Sequence, residues 1–183
     1  MVPTDPLRTL LLPVLEACPL QAGSLYTSYK DLSLSVEWHD LRAFVLPGTE
    51  WAVILGHKKR QDPLRVVLPL PLHTTALKPS ILKLIYSTLA SLPFSAIPVP
   101  DDPLVPSIEE VQREMASRRV TSGDAETGEG STEKEKDNGQ EAAEVNESID
   151  RETIYLAIVT SDSTVVYYKL SKGIKKPADI PDE

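Results

Sequence analysis

Leu7, Leu10, Leu11, Val14 and Leu15 recur at the spacing of one helix face, which predicts an amphipathic first helix. Pro13 lies inside it, removes a backbone donor, and is expected to kink or limit it. Leu25, Tyr29 and Leu32 predict a second, short helix. The period then changes. Residues 34–46, LSVEWHDLRAFVL, alternate; WAVILG at 51–56 is a compact apolar run; LRVVLPL at 64–70 follows. Pro47-Gly48 and the KKRQDP stretch at 58–63 read as the turns between these runs. Links this short cannot make parallel crossovers, so an antiparallel meander is expected. Ile81, Leu84, Ile85, Leu89 and Leu92 predict a third helix ending before Pro93. Beyond the proline-rich link IPVPDDPLVP, Ser107 and Glu110 form a capping box for a fourth helix, with Ile108, Val111 and Met115 as its apolar face.

The densest β-forming stretch comes last, IYLAIVTSDSTVVYYKL at 154–170. Ile154, Leu156 and Ile158 share one face of its first arm, and Tyr155, Ala157 and Val159 share the other. Both faces are apolar, so this strand is expected to be central and covered on both sides. In the second arm Thr164, Val166, Tyr168 and Leu170 point one way and Val165, Tyr167 and Lys169 the other. At most one of Tyr167 and Tyr168 therefore enters the domain's own core. The TSDS turn between the arms carries Asp162 at its tip.

Charge changes the picture of the middle of the chain. The formal net charge is -8, but residues 121–150 hold ten acids and only two lysines, so the remaining sequence is balanced. That segment has no aromatic residue and few aliphatic ones, too little to offset its ordering entropy, and is expected to be a disordered, removable insert. The organisation expected is one domain: residues 1–120, the insert 121–150, a hairpin over 151–177 that completes the same sheet, and a tail 178–183. A balanced remainder lacks the strong basic charge of an autonomous nucleic-acid binder. Cys18 is the only cysteine, so neither an internal disulfide nor a cysteine-rich zinc site is expected, and one buried thiol fits a reducing compartment. The apolar stretch TLLLPVLEACPL is too short to span a bilayer and lacks a basic leader, so no membrane insertion is expected.

YLAIVTSDSTVVYYKLSKGIKKP, residues 155–177, resembles the C-terminal signature of the smallest, non-catalytic subunit of the eukaryotic tRNA-splicing endonuclease, the one labelled fifteen. LSVEWHDLRAFVLP and RVVLPL follow the same order of features upstream, and the likeness is nearest to fungal members. The resemblance implies an α/β (α+β) fold: a single nuclease-like domain with a mixed, mostly antiparallel sheet flanked by helices, as in tRNA-intron endonucleases. It implies a heterotetramer in which this subunit pairs edge to edge with the catalytic subunit labelled thirty-four and meets precursor tRNA through the complex. A nuclear location is implied, with the cytoplasmic face of the mitochondrial outer membrane as the alternative. By motif position, Asp162 corresponds to an acidic loop that docks in a partner's cleft. The interface expected from this is Asp162, Thr164, Val165, Val166, Tyr167, Tyr168, Lys169 and Leu170.

Catalytic members of that family use a tyrosine, a histidine and a lysine, the last two in the stretch leading into the penultimate strand. Here that stretch, 107–150, has no histidine, so no catalytic residue, cofactor or metal is expected. His39 reads as a partly exposed strand residue and His57 as part of a loop; His73 also precedes the third helix. Trp38 and Trp51 read as core rather than as stacking platforms. Lys58, Lys59, Arg60, Lys172, Lys175 and Lys176 are candidates for phosphate contact, against the default that scattered lysines are simply solvated. Two other readings stay open: a self-sufficient RNase using one histidine, and a homodimerising interaction module outside tRNA processing.

Overall fold

The computed structural model describes residues 5–101 and 148–173. Asp5 caps the first helix, α1 (Pro6–Ala17): its carboxylate accepts from the Leu7 amide at 3.0 Å, and Pro6 sits where a missing N–H costs nothing. The helix runs through Pro13 to Ala17, because Leu7 and Leu11 are anchored in the core on one side of the proline and Cys18 on the other. Helix α2 (Ala22–Leu34) buries Leu25, Tyr29 and Leu32. The meander follows as β1 (His39–Val45), β2 (Ala52–His57) and β3 (Leu64–Pro71), antiparallel throughout. Helix α3 (Pro79–Ser91) and a single 3-10 turn at Phe94–Ala96 come next. The final hairpin is β4 (Ile149–Val159) and β5 (Val165–Ser171).

The five strands form one sheet in the order β1-β2-β3-β4-β5. Only β3 and β4 are parallel, the pairing that requires a crossover connection, and α3 lies within it. The fold is α+β with a mixed, mostly antiparallel sheet, as expected. α1 and α2 cover one face, burying Leu7, Leu11, Leu25 and Leu32 against Ile54, Val67 and Ala157. α3 covers the other, burying Ile85 and Leu89 against Leu55, Val66, Leu68 and Ile154. Each such fully buried aliphatic side chain is worth about 1.5–3 kcal/mol of transfer free energy. The expected alternation of the hairpin holds: Ile154 and Leu156 pack with α3, Tyr155 and Ala157 with α1 and α2.

Four expectations change. The alternation from Leu34 is not strand: Leu34 ends α2, Leu34 and Val36 are exposed, and Glu37 turns the chain at φ 56° before β1 starts at His39. Leu84 points outward from α3, whose buried face is Ile85, Tyr86 and Leu89. His57 is not in a loop; it ends β2, buried, with Nδ1 2.7 Å from the Asp62 carbonyl. The acidic stretch read as removable through residue 150 ends too late, because Ile149 and Asp150 already belong to β4. Asp150 accepts from the amides of Glu152 and Thr153 at 3.0 and 3.1 Å and pairs with Arg65 at 3.5 Å. The remainder of that stretch, the helix expected from Ser107, Lys175, Lys176 and the tail 178–183 lie outside the described residues.

β4 is also tied to α3. Arg151 donates from its two terminal nitrogens to the carbonyls of Ala90 and Leu92, at 2.9 and 2.8 Å, satisfying acceptors that the helix end leaves over. Arg151→Ala is expected to lower unfolding stability by about 1–2 kcal/mol in urea titrations. An unchanged midpoint would show that water replaces the arginine at no cost.

A candidate subunit interface at the last strand

β5 is an edge strand, and the hydrogen bonds at both ends of the hairpin fix which of its groups face outward. Thr160 donates its amide to the Thr164 carbonyl at 3.0 Å, and Lys172 donates to Glu152 at 2.7 Å. Between them the register pairs Ile158 with Val166, Leu156 with Tyr168 and Ile154 with Leu170. Antiparallel ladders alternate, so the even-numbered residues of β5 spend their backbone groups on β4. The N–H and C=O groups of Val165, Tyr167, Lys169 and Ser171 therefore point away from the sheet. No strand among the described residues pairs with that side. Such a row is a template for adding a strand.

The opposite edge is treated differently. Asp101 donates its amide to the Leu41 carbonyl of β1 at 2.8 Å, and the buried Arg42 reaches the Pro98 carbonyl at 3.3 Å. The register of β1 is irregular between His39 and Arg42, and Asp40 takes φ 53° there. The chain after α3 thus bonds one outward group of β1, the Leu41 carbonyl, and the irregularity disturbs the start of the strand.

Side-chain contacts hold β5 in place from both faces. Tyr167 donates its hydroxyl to Asp31 of α2 at 2.7 Å, and burial followed by that carboxylate pushes its pKa up. Tyr86 of α3 donates to the Leu170 carbonyl at 2.7 Å. Val165 and Tyr167 pack on the α1/α2 core and Leu170 on the α3 core. Val166 and Tyr168 remain 41% and 57% exposed on the α3 face, apolar surface directly beside the free row. Of the two adjacent tyrosines, Tyr167 thus enters the domain's own core and Tyr168 does not.

Asp162 sits exposed at the tip of the hairpin turn with Thr164. Its carboxylate accepts from the Thr160 hydroxyl and from the Thr164 amide at 3.2 Å, and these bonds, the first foremost, hold its pKa below the usual carboxylate value. A depressed folded pKa stabilises the turn above the ordinary carboxylate range, and that support is lost as pH falls through the lowered value. Thr160→Val is expected to raise the Asp162 pKa toward normal in a carboxyl NMR titration; an unmoved titration would assign the depression to the backbone.

The basic candidates that are described gather at one end of the sheet. Lys58, Lys59 and Arg60 are exposed in the β2–β3 turn, and Lys172 is exposed just past β5. Two strands separate the groups, roughly 14 Å at three strand spacings. The histidines do not converge: His39, exposed, faces buried His57 across β1 and β2, while His73 is exposed beyond β3 at the other end. No cluster of metal-ligating side chains occurs among the described residues, and no helix there is long and apolar enough to cross a membrane. Trp38 and Trp51 are each half-buried against one of the two cores.

Sequence reasoning missed Gln21. It is buried before α2, and its side-chain amide donates to the carbonyls of Pro69 at 2.8 Å and Ala52 at 3.2 Å while accepting from the Ala52 amide at 2.7 Å. The β2–β3 register, Ile54 with Val67 and Leu55 with Val66, would next set Ala52 opposite Pro69. Proline has no N–H to give, and Gln21 fills that gap in the ladder. Pro69 was the visible signal, since a proline in a central strand needs a substitute donor.

No curated protein matches the chain in a sequence comparison. Residues 131–181, which contain all of β4 and β5, match the family described as Sen15 protein. In that segment, which is under half of the chain, the protein is similar to a subunit family of the tRNA-splicing endonuclease.

Proposed function

We propose that this chain is a structural subunit that pairs with a catalytic subunit of the tRNA-splicing endonuclease through the outer edge of β5. In this reading it positions that subunit for intron excision from precursor tRNA and supplies no catalytic group. The observation that carries it is the open, regular row at Val165, Tyr167, Lys169 and Ser171, inside the segment that matches the Sen15 family, on a sheet whose other edge is irregular and bonded at Leu41. Strand addition supplies main-chain hydrogen bonds, and neighbouring side-chain surface supplies selectivity. Val166 and Tyr168 offer that surface. Thr164 and Leu170 flank the row, and exposed Asp162 is the group that would enter a basic cleft of a further subunit in a heterotetramer. A nuclear complex is the location this reading carries, with the mitochondrial surface as the alternative.

Co-expression with the endonuclease subunits tests it. A stable complex containing a catalytic subunit is expected. A chain that recovers only copies of itself would favour the homodimerising module instead, and precursor cleavage by the purified chain alone, abolished by one His→Ala change, would favour the self-sufficient RNase.

A further inference from the structure

The last hairpin is covered on one face and half bare on the other. On the α1/α2 side Ala157 and Val159 are buried, and Val165 and Tyr167 pack on that core. On the α3 side Ile154 is fully buried, but Leu156 and Ile158 are only half-buried. Their register partners, Tyr168 and Val166, are 57% and 41% exposed. These four side chains make one apolar block, two strands wide. The cover stops short because α3 sits elsewhere. Its Ile85 and Leu89 pack with Leu55 of β2, Val66 and Leu68 of β3, and Ile154 of β4, so the helix is centred on β3. Tyr86 reaches across from α3 to the Leu170 carbonyl. Leu82, four residues earlier and therefore on the same flank, is half-buried.

Spacing selects the missing cover. β5 lies two strand spacings from β3, about 9–10 Å. Helices packed side by side stand about 8–10 Å apart. A helix laid beside α3 would therefore run over β5 itself. We infer that the partner subunit lays an apolar helix face across Leu156, Ile158, Val166 and Tyr168, against the Leu82 flank of α3, as well as pairing a strand with β5. The inference rests on the subunit reading for its partner and adds a second element to the contact. A strand alone would extend the bare face by one more row, whereas the apolar face of a sheet is buried under a second layer. Two observations favour a partner over the rest of this chain. The block borders the open row, so whatever pairs there arrives beside it. Residues 121–150 bring ten acids, no aromatic and few aliphatic side chains.

The test uses the full chain and the catalytic subunit, with Val166→Thr and Tyr168→Thr combined. Threonine keeps the preference for strand and every backbone group, so the open row is untouched. Affinity is expected to fall at least about tenfold. The urea midpoint of the isolated chain should shift little, because the block is bare there. Leu12→Gln, at a side chain 42% exposed on α1, should leave affinity unchanged. A photoreactive Tyr168→benzoylphenylalanine should cross-link a helical segment of the partner, distinct from the strand beside β5. Wild-type affinity in the threonine variant, an equal loss from Leu12→Gln, or cross-links within this chain or to a second copy of it would each overturn the inference. So would a large drop in the urea midpoint, which would mean that the chain covers the block itself. Slowed amide exchange at Tyr167 and Lys169 in the complex reports strand pairing separately. That protection with unchanged affinity in the threonine variant sinks the helix contact alone. Cross-links to a partner helix without that protection sink the strand pairing alone. A wild-type chain that forms no complex with the catalytic subunit sinks both.

Discussion

Lys169→Pro should break partner binding while leaving the fold almost intact. The Lys169 amide belongs to the outward row of β5, so proline there removes no bond to β4. Edge strands tolerate proline where the lost N–H faced outward. An incoming strand, however, loses a donor and meets the pyrrolidine ring. Losing about 1–3 kcal/mol corresponds to a Kd about five to 150 times weaker. Lys169→Ala, which keeps the amide, should bind nearly as wild type does. Tyr168→Pro is the counterpart. Its amide faces Leu156, so the change breaks the hairpin itself and should cost about 3 kcal/mol or more of stability. Thermal unfolding and co-purification of the three variants separate the cases. Wild-type binding by Lys169→Pro would rule out strand addition at this edge.

Gln21→Leu should be the most damaging single change that touches no apolar contact. It strands the Ala52 amide, the Ala52 carbonyl and the Pro69 carbonyl inside the core. With about 1–3 kcal/mol for each buried group left unpaired, the expected loss is about 3 kcal/mol or more. The cause can be isolated. Pro69→Val restores a backbone donor opposite Ala52, so in the Gln21→Leu background it should recover about 1 kcal/mol or more, while in the wild-type chain it gains little. Urea unfolding of the two single variants and the double variant gives the coupling. Additive effects would mean that the glutamine and the proline do not compensate one another.

The contrast between these two sites shows what the sequence made legible. The faces of the hairpin were readable because a strand has period two and both arms are strongly patterned, from Ile154 to Leu170. That β5 is an edge could be argued from position, but not that β4 lies parallel to β3: the connection between them is long and its local pattern does not encode the crossover. Leu34, Val36 and Trp38 alternated like a strand only because a helix end and a turn fell at that spacing. The polar run that follows His57 hides its place at the end of β2. Gln21 had no periodic signal at all; a lone polar residue between helices reads as surface, and only its partners reveal it.

The two edges of the sheet differ in polymer terms. A sheet that pairs equally well at both edges is a bifunctional monomer, and strand addition would propagate without limit. Along β1 the Leu41 carbonyl is already bonded to Asp101, and the irregular start at Asp40 breaks the even row that pairing needs. At β5 the outward row is regular from Val165 to Ser171. A unit with one edge better suited to pairing than the other is biased toward joining once rather than toward growing into a chain.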